Sequence, residues 1–548
     1  MARGRLLVGL IFLALTSVIQ ADAQSFPERG YFRSLISQPA VQSSIPGPEG
    51  LRDYMVDGKL RLTLGDAIRL TLMNNTDVRI NELQVESAKF SVERAYSPFD
   101  PVATSSFNAA RSNSPSFTQL AGASTLSSLN QQTQFGYSQT FETGTSYQIG
   151  LSTTKSSTNS IFNFFNPSIF SGLSLSFAQP LLRNRGLFPN RAPIIIARRN
   201  LEESQATFEA SVNDSIQQVV AQYWATVQAR ENLVVQRKAL DLSEATYKQQ
   251  KRSLELGAIP PLDIYRSESD VASRRVAVIQ SEYNLKQAED LLRHAIGADL
   301  DNYFRALDLD LTEKPEPSGD LVSLDEATAL QRALARRPEF KALRETLAND
   351  ETSIRLAHNS LLPDLRLNGF YTSNGLGGNQ LDISKAPPTL VSQGGFTDAL
   401  GQIFGFGFPT YGFTLTLNLP IKNRAARADL GNALVSRRRG LYLERQLRQA
   451  VTLEVVNVVH QLEEAKLSMA AAGIARDLAQ KTLEAEQRKY ELGTETIFFV
   501  LDAQNSLAQA ELSYLQAEIG YNLAVTAVDH ATGELLARYQ VQIAHTYH

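Results

Sequence analysis

The chain has 548 residues, 43% of them hydrophobic and 20% charged, with 53 Lys+Arg against 57 Asp+Glu and no cysteine. A net charge of -4 offers no basic footprint for nucleic acid. The missing thiol excludes disulfide frameworks, thiolate nucleophiles and Cys-ligated zinc.

The N-terminus reads as a secretory leader. Arg3 and Arg5 precede an apolar run over 6–15, and Ala21-Asp22-Ala23 forms an A-x-A site, so cleavage after Ala23 is expected. A buried N-terminal helix is the alternative reading. Lipoprotein processing is excluded because no cysteine stands near the site. No later stretch reaches 18 uninterrupted apolar residues, so any membrane passage has to be made by β-strands.

Beyond an N-terminal extension (24–60), Leu62-Thr63-Leu64-Gly65-Asp66-Ala67 opens a helix with a Thr cap and an acidic residue three positions on. That helix is expected to run about 30 residues, to the proline-marked strand start Pro98-Phe99-Asp100-Pro101. Residues 102–180 are rich in Ser, Thr, Gly, Asn and aromatics and nearly free of charge, with Tyr147, Ile149, Leu151 and then Leu173, Leu175, Phe177 alternating with small polar residues. Period-2 alternation suits a barrel strand facing lipid, and it equally suits a half-buried soluble sheet. The leader and the missing membrane helix favour the barrel. The spans 112–132, 155–167 and 373–408 are read as long extracellular loops.

A long helical pattern follows, with Ile216, Val220, Tyr223, Val227 and Val234 as its seam. The segment 206–256 alone would extend about 75 Å, which no compact domain accommodates. Leu256-Gly257 interrupts the pattern and Gly297 closes the next helix. A connector (301–322) leads to a second series. Val322-Ser323-Leu324-Asp325-Glu326-Ala327 is expected to cap with Ser323 and Glu326, and Leu361-Leu362-Pro363-Asp364 marks a strand start. Phe413, Leu415, Leu417 and Leu419 alternate with Thr414, Thr416 and Asn418. Further seams are Val451, Val455, Val458, Leu462, Ala465, Met469 and Leu501, Asn505, Ala508, Leu512, Leu515, Ile519, the 3.5-residue period of coiled coils.

The chain thus repeats itself. Leu492-Gly493 stands 236 residues after Leu256-Gly257, Gly533 stands 236 after Gly297, and Pro363 stands 262 after Pro101. His294 and His530 each lie three residues before the closing glycine, and are expected to meet unpaired carbonyls at helix C-termini. The domains are read as a first repeat over 61–300, a second over 323–536 and a tail over 537–548. No H-E-x-x-H, G-x-S-x-G, Walker A or helix-opening G-x-G-x-x-G occurs. No enzyme, cofactor or metal is indicated. His545 and His548 read as a solvated tail.

Taken in order, several motifs resemble the TolC-like outer membrane efflux protein family. They are Leu-Thr-Leu-x-Asp-Ala at 62–67, Arg-Pro-Glu at 337–339, Leu-Leu-Pro-Asp-Leu at 361–365, Gln-Pro-Leu-Leu at 179–182, and the tip sequences at 257–263 and 493–503. The resemblance covers about residues 60 to 536. It implies a mixed α/β membrane protein, a trimeric 12-stranded transmembrane β-barrel continued by a long periplasmic α-helical coiled-coil barrel, with an internal tandem repeat. The protein would then be a passive outer-membrane exit duct for small-molecule efflux or type I protein secretion. Its partners would be two further copies, outer-membrane lipid, a periplasmic adaptor (membrane fusion) protein, and an inner-membrane pump or ABC exporter. The alternative is a trimeric structural coiled-coil surface protein.

Four strands per chain are implied, whereas the sequence offers six, including a hairpin over 135–151. At least one pair would then lie outside the lipid or be misread. By motif position, Leu256, Gly257, Leu492 and Gly493 fall at adaptor-docking tips, and Asp263, Tyr490 and Asp502 at gate positions. Glu495 stands where an arginine latch is usual and Phe499 where a second pore aspartate is usual. This points to a gate closed more by apolar contact than by charge, unless Phe498 and Phe499 simply pack between helices.

Overall fold

The computed structural model describes residues 45, 47–116, 123–256, 261–317, 321–384 and 388–543, without the side chains of 261–263. The leader (1–23), Gly257, most of the N-terminal extension and His545 and His548 lie outside the described residues. All elements below belong to the unit Gly50–His548.

Strands β1 (Met55–Val56) and β2 (Lys59–Leu62) lead into α1 (Leu64–Asn74). Thr63 caps α1 with a reciprocal box, Asp66 N–H donating to Thr63 Oγ1 and Thr63 N–H to Asp66 Oδ2, both at 3.1 Å. The expected single 30-residue helix is in fact broken. Asn75 takes extended backbone and caps α2 (Thr76–Tyr96). The second half repeats the break, with α6 (Glu326–Arg336) and α7 (Pro338–Ser360) parted at Arg337. The proline at the first position of α7 fits there because that N–H has no helical partner. The cap of α6 is Asp325, which accepts from Thr328 N–H at 3.3 Å, and not Ser323. Glu326 is therefore the first helical residue rather than the box partner.

Between these short helices and the long ones lie the strands. The first half contributes β3 (Val102–Pro115), β4 (Thr125–Thr140), β5 (Ser146–Thr158) and β6 (Phe165–Pro180). The connector holds α5 (Asn302–Arg305) and β7 (Asp308–Leu311). The second half contributes β8 (Asp364–Asp382), β9 (Thr389–Ser392), helix α8 (Phe396–Phe404) and β10 (Phe408–Asn418). One antiparallel sheet runs β10-β8-β6-β5-β4-β3, with β9 on the upper edge of β8.

Two sequence readings are corrected here. All six long strands share one sheet, so the 135–151 hairpin is not misread. Within the spans 112–132 and 373–408, residues 112–115, 125–132, 373–382, 389–392 and 396–404 are strand or helix rather than loop. Gly375 and Gly377, which look like loop residues, are strand positions of β8 against which α8 seats: a Cβ at either would fall 2.1 Å from the Ala399 or Gly395 carbonyl oxygen.

The long helices are α3 (Leu187–Glu255) and α9 (Arg424–Glu491), of 69 and 68 residues, each folding back into α4 (Pro261–Ala295) and α10 (Ile497–Thr532). At about 1.5 Å per residue, each long helix spans about 100 Å. Toward the tips the packing order is α4, α3, α10, α9, and toward the sheet it is α2, α3, α7, α9.

The seams drift from a strict 3.5-residue spacing, as straight helices must. Val234 is 54% exposed while Leu233 is buried, and Val459 is buried where Val458 is half-buried. Asn505 is exposed, with Gln504 buried beside it. Midway, β2 pairs in parallel with β7. Leu60, Leu62, Ile68, Ile216, Tyr223, Ile296 and Ile519 are all nearly fully buried there in a central core. A short α11 (Leu535–Arg538) packs onto the same core through Leu535.

Candidate functional site

Each helical hairpin reverses at the end remote from the sheet, between Glu255 and Pro261 in the first and between Glu491 and Ile497 in the second. Leu256 caps the end of α3 and Leu492 that of α9, and both leucines project into solvent, at 79% and 74% exposure. Gly493 turns the second tip with φ +73°, the left-handed region open to glycine, and its N–H donates to Tyr490 O at 3.0 Å. Gly257 and the side chain of Asp263 lie outside the described residues.

Tyr490 is half-buried, and its hydroxyl accepts from Gln250 on α3. Asp502 is exposed on α10, in a groove shared with Tyr265, Arg266, Asp270 and Asn505. Glu495 is half-buried within its own tip. The Lys489 ammonium is held above its ordinary range, chiefly by Glu486 at 2.7 Å and in lesser part by the Glu495 charge.

Phe498 and Phe499 are 49% and 45% exposed, edge to face at 5.4 Å, with the Arg266 guanidinium 5.8 Å from the Phe498 ring centre. Ile497, Val500, Leu501 and Leu507 fill the helix interface instead. Within one chain both phenylalanines are half-exposed, with Phe498 lying beside Arg266 of α4.

Sequence reasoning missed the links that tie the two hairpins together. Lys238 on α3 meets Glu511 on α10 at 2.9 Å, Gln504 on α10 donates to Thr246 on α3 at 3.3 Å, and Arg274 on α4 reaches Asn505 on α10. Of these six residues the sequence marks Asn505 alone, and only as a seam position. The partners lie 231 to 273 residues apart in sequence, so no local pattern announces them.

Nearer the sheet a charged knot joins four helices. Arg337, 9% exposed, reaches Glu454 on α9 at 2.5 Å and Glu339 at 2.6 Å. His530 on α10 contacts Asp214 on α3 at 2.8 Å and Glu454 at 3.6 Å. Burial alone would lower the His530 pKa, but the two carboxylates outweigh it and push it up to about 9. His294 likewise meets a carboxylate, Asp299, at 2.7 Å. Both histidines do sit in last helical turns, yet their rings serve acidic side chains rather than orphan carbonyls. Among the described residues, no helix is long and apolar enough to cross a membrane and no cluster of ligands could hold a metal.

The family model described as Outer membrane efflux protein matches residues 67–298 and 329–534. Outer membrane efflux protein BepC of Brucella suis biovar 1 (strain 1330) is 22% identical over 352 residues, which cover 64% of this chain and 70% of that protein. Among solved structures, CusC superposes with TM-score 0.62 at 17% identity, covering 91% of this chain and 98% of that one. The Campylobacter jejuni CmeC outer membrane channel superposes with TM-score 0.59 at 16% identity, covering 91% and 90%.

Proposed function

The chain belongs to the outer membrane efflux protein family, and we propose that three copies of it form the exit duct of a tripartite export system. It lies in the outer membrane and extends into the periplasm. The observation that carries the assembly is a sheet of membrane-spanning length with two unpaired edges, set on helices of about 100 Å. Strands of 11 to 19 residues meet or exceed the about 9–11 a bilayer requires. Open edges in lipid leave backbone groups unsatisfied, so copies have to close the wall.

Two tandem copies of one unit account for the chain. In support, α1 and α6 start 262 residues apart, and the hairpin helices end and resume 236 apart at Glu255 and Glu491, Pro261 and Ile497. The family match likewise falls into two stretches. A coiled-coil stalk would carry one barrel segment at one end, whereas here strands occur in both halves.

The tips face the inner membrane in this reading. Leu256 and Leu492 offer apolar contacts, with Gly257 and Gly493 next to them in sequence, to a periplasmic adaptor, which in turn engages a pump or ABC exporter. Asp263, Tyr490, Glu495, Phe499 and Asp502 form the gate, tripled by symmetry into rings. Glu495 cannot latch to a carboxylate, so closure rests on the exposed Phe499 rings and on the Gln250–Tyr490 contact. The passage is passive and no catalytic step is involved.

The test is twofold. Heat-sensitive oligomers should appear in the outer-membrane fraction and conduct in planar bilayers, and absence of any pore refutes the duct. Phe499→Ala should raise single-channel conductance several-fold. Unchanged conductance there removes the apolar gate but leaves the duct standing.

A further inference from the structure

The sheet contains a departure from the family's expected strand count, and it falls in the membrane wall. We propose that the barrel is closed by six strands from each of three copies, eighteen in all, through antiparallel pairing of β10 in one copy with β3 in the next. The proposal rests on the trimer above, and it replaces twelve strands by eighteen.

Three observations carry it. The β4–β5 hairpin has the same two faces as its neighbours. Along one face the register aligns Tyr137, Ile149, Leu175, Tyr371 and Tyr411 across five strands. Along the other it aligns Thr104, Gly136, Gly150, Ser174, Thr372 and Thr410 across six. An apolar outer face with a small polar inner face is what a lipid-embedded, water-filled wall needs. A hairpin lying in solvent has no use for exposed Phe135, Tyr137 and Ile149.

Next, the hairpin is tied in on both sides. Gln139 donates to the Phe99 carbonyl at the entrance to β3, at 3.2 Å. Thr145 bonds Gln179 at the exit of β6, and Glu142 bonds Arg191 in the first turns of α3. The hairpin fills the interval between β3 and β6 instead of hanging beside it. β3 and β10 are left as the outer strands, and nearly every residue of both is exposed.

Finally, the wall has to match the helices beneath it. Four helices side by side in each of three copies make twelve, a circumference of about 96–120 Å at about 8–10 Å per helix. Eighteen strands at about 4.8 Å spacing and about 40° tilt give about 110 Å, whereas twelve give about 75 Å. Eighteen strands let the two walls meet without a constriction. The lumen at membrane level would be about 1.5-fold wider than a twelve-stranded wall provides.

The cysteine-free chain allows a direct test by disulfide trapping in isolated outer membranes. Ser106→Cys with Gln134→Cys, and Gln148→Cys with Ser176→Cys, are facing pairs of β3–β4 and β5–β6. Both should close within one chain on oxidation and lose at least nine-tenths of their reactivity to a maleimide-polyethylene glycol. Ser106→Cys or Asn108→Cys combined with Thr410→Cys or Thr414→Cys should link different copies, giving boiled, unreduced bands at two and three times the chain mass. Should the polar pairs disturb assembly, Tyr147→Cys with Phe177→Cys reports β5–β6 from the other face. If copies link while the β5–β6 pairs stay open, the hairpin is outside the wall and eighteen strands is wrong. If both intrachain pairs close but no β3–β10 pair links copies, the closure is wrong. A ladder ending at two or running to four retains edge pairing but overturns the trimer.

Discussion

The two halves of the chain break their short helices at matching positions, Asn75 and Arg337, 262 residues apart, and solve the break with different chemistry. In the first half Asn75 accepts from the N–H groups of Asp77 and Val78 at 2.9 and 3.3 Å, and its amide meets the Ala295 carbonyl at the end of α4 at 3.5 Å. In the second half Arg337 makes no such cap. Its guanidinium instead binds Glu339 and Glu454, and Glu454 faces His530 in the last turn of α10. One junction is neutral and reaches only α4 beyond its own helices, the other is charged and shared among α3, α7, α9 and α10. The same backbone geometry therefore tolerates either solution, but only the second makes that junction's strength depend on pH.

This contrast can be broken at several points. Arg337→Ala leaves Glu454 and Glu339 without their buried cation and should destabilise by about 3–5 kcal/mol, read as a lower melting temperature of the purified oligomer. Asn75→Ala at the matching position should cost only about 1 kcal/mol, a lost cap. Equal effects would show that the two junctions are not chemically distinct.

His530 tests the pH side. Its folded pKa of about 9 lies above the ordinary 6.5, so its contribution is complete below about 6.5 and is lost as pH rises through about 9, up to about 3 kcal/mol in all. Melting curves from about pH 6 to about pH 10 should fall in this window and flatten in His530→Gln. Asp214 and Glu454 contact the same ring, and Glu454, held below the ordinary carboxylate range chiefly by His530 and further by Arg337, adds no slope of its own there.

The strand segments differ in the same spirit. Between β3 and β6 the first half inserts a hairpin, whereas between β8 and β10 the second half inserts α8. The latter depends on bare backbone: Gly375→Ala would drive a methyl into the Ala399 carbonyl, costing about 1–3 kcal/mol, and should expose the α8 segment to protease. Gly136→Ala in the first half meets only the Thr104 hydroxyl, 2.7 Å away on a side chain that can rotate, and should be the mildest change of the set.

How much of this was legible beforehand follows from the range of the forces involved. Capping at Thr63, the alternation of Tyr147, Ile149 and Leu151, and the turns after Leu256 and Leu492 are local, so they can be read from neighbours in sequence. The break at Arg337 could have been read from Pro338, since the residue before a proline is steered away from helix. Asn75 bore no such mark.

The sequence by itself determined the long helices, where they end, and the strand-forming segments, because hydrophobic period, caps and glycine positions act over a few residues. Only the tertiary structure decided that all six long strands share one sheet and that Gly375 and Gly377 are a seat rather than a loop. It also decided that Tyr490 answers to Gln250 and that His530 belongs to a carboxylate knot. These are contacts between residues far apart in the chain. No spacing rule encodes them, and they exist only once burial has brought the partners together.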